Sequence, residues 1–185
     1  MNKRTIILLG WFTLLFFSAI GCLFIYWWVN PSVEQHLMGS GTVVTQLMFG
    51  LSFGVGTGLL AVAIVRLPFL KETNNYYSEL ISSMNLSKIE IVFLSFCAGV
   101  GEEILFRGAL QPLFGVWLVS IVFVAIHGYL NPFDWKLSIY GIYMVFASAG
   151  FGYLFLNFGI WAATSAHFTF DVIMFSNLVK LEGKL

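Results

Sequence analysis

From Thr5 to Val29 the chain carries no charged side chain, and long apolar stretches recur along its 185 residues. A helix needs about 20 predominantly apolar residues to cross a bilayer core roughly 30 Å thick. In lipid every backbone polar group must be satisfied internally, which a helix does within a single segment. Only 10% of the residues are charged and 59% are hydrophobic, where a soluble domain of this size carries about 25% charged residues. The expectation is an all-α, polytopic integral membrane bundle of about six transmembrane helices, near Thr5–Val29, Thr42–Val65, Lys88–Leu110, Leu113–Tyr129, Leu137–Leu156 and Gly159–Val179. The fourth stretch is the shortest, and the three-residue link Asn157-Phe158-Gly159 forces the fifth and sixth into a hairpin. No repeat or linker interrupts the chain, so residues 1–185 read as one domain with its motif-bearing core at about 88–179.

The start, Met1-Asn2-Lys3-Arg4 before an apolar run, has the layout of a secretory signal. A signal's apolar core is about 7–15 residues, and this one is far longer, which predicts an uncleaved first span. Ala19-Ile20-Gly21-Cys22 has the flavour of a lipidation site, but the apolar run continues past it. Cys22 and Cys97 both lie in apolar runs and make neither a disulfide framework nor a zinc motif.

Lys3, Arg4, Arg66, Lys71, Lys88, Lys136, Lys180 and Lys184 all fall on one side if both termini are cytoplasmic, while the loop from Asn30 to Gly41 has no Lys or Arg. The positive-inside rule therefore sets the orientation, with N- and C-termini in the cytoplasm. Compact size and short loops point to a bacterial inner membrane. A net charge of zero gives no argument for nucleic acid as a partner.

Between the second and third spans, Phe69, Tyr76, Tyr77, Leu80 and Met84 recur at helical spacing with Glu72, Asn75 and Glu79 opposite. That pattern predicts a short amphipathic helix along the inner interface. Ser87-Lys88-Ile89-Glu90 reads as a capping box opening the third span. Gly50, Gly54 and Gly58 put small residues on one face of the second span, where they favour close packing against another helix of the same chain.

Six ionisable side chains sit inside these apolar stretches: Glu102, Glu103, Arg107, His127, His167 and Asp171. Charge at bilayer depth costs a few kcal/mol per group, so such residues mark a functional site by default. Glu103 and Arg107 are four apart and share a helix face, where they can pair. Glu102 is turned about 100° away and is not consumed by that pair. His167 and Asp171, also four apart, suit two metal ligands or a histidine with its orienting carboxylate. Three acids against one Arg leave two negative charges uncompensated when the imidazoles are neutral. A divalent cation, a protonated His or a protonated acid would balance them, and each of these serves hydrolysis.

The order Glu-Glu-x-x-x-Arg (Glu102, Glu103, Arg107), Phe-x-x-x-His (Phe123, His127) and His-x-x-x-Asp (His167, Asp171) on successive helices resembles the CPBP group of intramembrane proteases. That group holds the type II CAAX prenyl endopeptidases and bacteriocin-processing or immunity-associated membrane proteins, and the likeness runs from Gly101 to Asp171. The resemblance implies that Glu102 and His127 activate the attacking water, that Glu103 and Arg107 organise the base, and that His167 with Asp171 stabilises the oxyanion. It also implies either a metallo-mechanism, with Glu102, His127, His167 and Asp171 holding a zinc-like divalent metal, or a metal-free glutamate mechanism. Where some members carry Asn, this chain has Asp171. An ionised Asp cannot donate to an oxyanion, so it fits ligation or histidine orientation better.

There is no His-Glu-x-x-His motif, and Asp134 lies beside a loop proline, which disfavours an aspartyl dyad. The expected function is an intramembrane endopeptidase acting on a membrane-anchored or amphipathic polypeptide through Glu/His-activated water, with the lipid bilayer as its surroundings. The rivals are a non-catalytic scaffold or bacteriocin-immunity protein and an ion-coupled transporter, the last disfavoured by the lack of paired broken helices.

Overall fold

The computed structural model describes residues 2–182 as a bundle of helices, with no strand among the described residues. Lys184, one of the basic residues behind the expected orientation, lies outside them, as does the side chain of Lys180.

Helix α1 (Lys3–Val29) is long and apolar enough to cross a membrane, as are α3 (Val43–Val65) and α8 (Trp135–Phe158). Two further helices have the length but carry the ionisable residues. One is α5 (Lys88–Glu103), which runs on through a π-helical stretch Ile104–Leu110 into the short α6 (Gln111–Phe114); the other is α9 (Ile160–Glu182). The expected fourth span differs. Helix α7 (Val116–Ile126) has 11 residues, about 16 Å at 1.5 Å per residue, roughly half of a 30 Å core. Gly115 and Gly128 bound it, both with positive φ (78° and 80°), a conformation that favours glycine and turns the chain at each end.

The two ends of the bundle differ in charge. At one end Lys3 pairs with Glu90 at 2.8 Å and Lys136 with Glu72 at 3.6 Å, while Arg66 hydrogen-bonds Asn177. Three of the basic residues expected on one side of a membrane, Lys3, Arg66 and Lys136, are thus paired at this end. The opposite end is closed by α2 (Val33–Met38): Gln46 Nε2 donates to Met38 O (2.6 Å), Trp161 N–H donates to Gln46 Oε1 (3.2 Å), and Ser40 Oγ donates to Asn157 O (2.8 Å).

Helix α9 runs through the centre. Its closest neighbour is α3, because Gly50, Gly54 and Gly58 leave room there: an added Cβ would meet Ala162 and Ser165, Ala166 and Thr169, and Ile173 respectively. The small-residue face thus packs within the chain. The Ser87–Glu90 capping box is formed, with both reciprocal hydrogen bonds present.

The connector α4 (Lys71–Ser83) turns out differently from its apolar pattern. Tyr76 and Leu80 face outward, and the buried stripe is Asn74 and Ser78, with Ser78 Oγ donating to Leu178 O at 2.6 Å. Inside the bundle Ser78 finds a partner on α9, and Tyr77 packs against the core beside it. The expected short helix is present, with Tyr76 and Leu80 of its apolar face turned outward.

Candidate active site

Successive residues of a helix point about 100° apart, so the end of α5 sends its two carboxylates to different places. Glu103 is fully buried, and both of its oxygens are occupied. Oε2 accepts from Arg107 Nε at 3.1 Å, and Oε1 accepts from His167 Nδ1 at 2.8 Å. Glu102 has no hydrogen bond to its neighbours and is 14% exposed. Its Oε2 stands 3.8 Å from His127 Nε2 and 3.9 Å from His167 Nε2.

Arg107, in the π-helical stretch, is also fully buried. Besides Glu103 it donates from Nη1 to Ser120 Oγ (3.2 Å) and from Nη2 to Ser148 Oγ (2.7 Å), and its guanidinium lies 5.7 Å from the centre of the Phe123 ring. These bonds tie α5, α7 and α8 together, and the Glu103–His167 bond adds α9. A buried ion pair keeps its place only when further hydrogen bonds support it, and here each guanidinium nitrogen has one partner and both Glu103 oxygens are filled.

His127 caps the end of α7, and its Nδ1 lies 2.7 Å from Phe123 O. A carbonyl oxygen only accepts, so Nδ1 carries the proton. In the neutral ring Nε2 is then a bare lone pair, and it faces Glu102. His167 is held from the other side: Nδ1–H donates to Glu103, the Phe151 ring stacks on it (centroids 5.6 Å, 17°) and Phe123 meets it edge-on at 5.8 Å. Its Nε2 points past Asp171 Oδ2, 3.6 Å away.

All six residues singled out in the sequence therefore converge. Glu102, His127, His167 and Asp171 face a cavity of about 420 Å³, and Glu103 and Arg107 stand behind them. Ser120, Ser148 and Phe151 were missed. Ser120 lies seven residues before His127 on the same face of α7, a signal that was present in the sequence. Ser148, within Ala147-Ser148-Ala149-Gly150, reads as an ordinary small-residue stretch and gave no such signal.

The donor set Glu102, His127, His167 and Asp171 is chemically suited to zinc, whose ligands at about 2.0–2.1 Å form a tetrahedron with edges of roughly 3.3 Å. The edges measured are 3.6, 3.8 and 3.9 Å. Among the described residues, no group of three or more His, Cys, Asp or Glu side chains is gathered closely enough to hold a metal ion as it stands. The arrangement is open by a few tenths of an ångström on each measured edge.

Residues 85–173 match the family model "Type II CAAX prenyl endopeptidase Rce1-like". The match covers just under half of the chain, the half that bears the motifs. The matched stretch holds all six ionisable residues and the serines that bind Arg107. The chain is also 34% identical over 84 residues to an uncharacterized protein of Bacillus subtilis (strain 168), YpbD, covering 45% of this chain and 42% of that protein. The chain therefore spans less than half the length of that curated relative. No solved structure matches.

Proposed function

We propose that this chain is an intramembrane endopeptidase that hydrolyses a peptide bond of a membrane-associated polypeptide, with Glu102 and His127 activating the water. One observation carries this function above the rest: Glu102 Oε2 and His127 Nε2 face each other 3.8 Å apart beside a cavity, and both are acceptors when the carboxylate is ionised and the imidazole neutral. A water about 2.8 Å from each donates one hydrogen to the carboxylate and one to the imidazole. Its oxygen lone pair is then free to point into the cavity.

Attack forms the carbon–oxygen bond, and the water's proton passes to Glu102 or His127, the pair acting as general base. Negative charge develops on the former carbonyl oxygen. His167 Nε2 faces the same space, and with the ring in its imidazolium form that nitrogen donates to the oxyanion. Preorganised donation of this kind is commonly the largest single contribution in acyl transfer. Asp171, 3.6 Å from Nε2, favours the charged ring, in keeping with an orienting carboxylate. Collapse breaks the carbon–nitrogen bond, and the stored proton goes to the departing amine. Glu103 and Arg107 act through His167 as positioning residues, since neither has an atom free to meet substrate.

The match to the Rce1-like model supports proteolysis as the chemistry. The largely apolar cavity supports a membrane-anchored or amphipathic substrate. The basic end of the bundle, with Lys3, Arg66 and Lys136, supports a cytoplasmic placement of that end.

The test is a comparison of membrane polypeptides from cells carrying the wild-type chain, Glu102→Gln and His127→Ala. Both variants are expected to insert normally and to leave intact a polypeptide that the wild type shortens. Identical termini in all three, or a cellular phenotype that survives both changes, would remove the protease and leave a scaffold. Substrate-dependent flux in proteoliposomes without a cleaved product would instead mean transport.

A further inference from the structure

The cavity reaches well beyond the four site residues, and three tyrosines line it: Tyr77 of α4, Tyr129 just past α7 and Tyr140 of α8. The Tyr129 ring lies between the other two, 6.2 Å from that of Tyr77 and edge-on to that of Tyr140 at 5.6 Å. Gly141 lets the segment after α7 lie against α8, since an added Cβ there would meet Tyr129 O. Tyr140 is the most enclosed of the three. It is 5% exposed and belongs to the same buried cluster as Phe151 and Phe170.

A buried tyrosine usually gives its O–H to a partner. Tyr143, on the next turn of α8, does so and donates to Thr57 O. Tyr140 Oη makes no hydrogen bond among the described residues, and it is not one of the partnerless polar atoms sealed inside the bundle, such as Ser95 Oγ and Asn74 Oδ1. A hydroxyl that is neither bonded nor sealed opens onto free space, and the free space that Tyr140 lines is the cavity.

A phenol is an apolar ring that ends in one hydroxyl donor. In a greasy wall it fits a ligand with greasy flanks and a hydrogen-bond acceptor, which a hydrocarbon chain lacks. Glu102 and Asp171 face the same cavity and oppose an anionic acceptor, so a neutral carbonyl oxygen is the best match. An extended polypeptide supplies one at every residue. Tyr140 also stands at a defined distance from the chemistry. Phe151, which stacks on His167, lies eleven residues further along α8, about three turns on the same face and roughly 16 Å away. An extended chain covers that distance in about five residues.

We propose that Tyr140 is a substrate-binding residue: its O–H donates to a main-chain carbonyl of an extended, apolar polypeptide in the cavity, about five residues from the bond that reaches Glu102 and His127. The identity of the occupant rests on the endopeptidase function above, but its binding can be measured without turnover.

The probe is a blocked, dansyl-labelled dodecapeptide of Leu and Ala, with a series in which one backbone C=O at a time becomes C=S, a weaker acceptor. Each is titrated by fluorescence anisotropy into the full-length Glu102→Gln protein in lipid nanodiscs, with empty nanodiscs as the blank. One thioamide position is expected to weaken binding about fivefold, the worth of a typical hydrogen bond. Adding Tyr140→Phe, which keeps the ring and removes only the hydroxyl, is expected to weaken the parent peptide by about the same factor and to abolish the penalty at that position. The wild-type protein is expected to cut the parent peptide about five residues from that position, read by mass spectrometry of the products. Unchanged affinity for the parent peptide in a folded Tyr140→Phe variant overturns the proposal. So does a penalty that persists after substitution, a cut beside the sensitive position, or a probe that does not bind at all. The scan of the Glu102→Gln protein needs no change at Tyr140, and a scan without one sensitive position overturns the proposal by itself. Tyr140-dependent binding in a protein that cleaves nothing would retire the protease while leaving this site standing.

Discussion

Glu102 and Glu103 are neighbours of the same chemistry, and isosteric changes at the two should give opposite phenotypes. Glu103 is fully buried, accepts from Arg107 and His167, and is the only carboxylate touching that guanidinium. In Glu103→Gln one amide oxygen can serve one donor, but the NH2 then confronts the other, and Arg107 stays buried without a counter-ion. Breaking a buried pair from one side costs about 3–5 kcal/mol. For a chain of this length a loss of 1 kcal/mol lowers the midpoint by about 2–4 °C, so the expected drop is roughly 6–20 °C. Glu102→Gln removes no hydrogen bond to the protein, and its midpoint should stay within a few degrees of wild type. Its turnover should fall by about 10²–10⁴, the usual worth of a general base. Thermal unfolding of both purified variants in one detergent, with cleavage measured on the same preparations, reads the two effects together. Equal midpoints for the wild type and Glu103→Gln would refute the assignment of Glu103 as the structural carboxylate. A Glu102→Gln protein that is as destabilised as its neighbour, or that still cleaves, would refute the division of labour.

Ser148→Ala should cost about 1–3 kcal/mol, because it strips the 2.7 Å partner from a buried Arg107; unfolding of the single variant and of the double change with Ser120→Ala should show a non-additive sum, since both hydroxyls serve one guanidinium. Gly54→Leu should prevent α3 from seating on α9, where even a Cβ collides with Ala166 and Thr169, and should appear as lost folded protein in detergent extracts. Dialysis against a strong chelator separates the two mechanisms: a metal-free glutamate route keeps its turnover, and a zinc route loses it together with stoichiometric zinc.

Much of the site was legible because it is local. Pairs four residues apart on a helix, Glu103 with Arg107 and His167 with Asp171, need only helical geometry to share a face. Charge within apolar sequence singles out residues whatever the tertiary arrangement. The bundle of membrane-type helices was legible for the same reason, as was the family resemblance from Gly101 to Asp171, which lies within the matched residues 85–173. What escaped depends on contacts between distant segments. Ser148 matters only because α8 brings it to Arg107, 41 residues earlier. Asn74 looked like one polar residue among several, and its burial follows from how α4 leans on α9. The fourth stretch was legible as the shortest, but its ends were not: α7 spans Val116–Ile126 rather than Leu113–Tyr129, because Gly115 and Gly128 turn the chain with positive φ.

That early stop has a consequence for how the site is wetted. At about 16 Å, α7 is roughly half as long as a 30 Å core is thick. His127 stands at the lip, with its side chain 38% exposed. On the proposed mechanism this shortens the road for solvent: the helix quits halfway, and the imidazole that would hold the attacking water sits at its exposed tip.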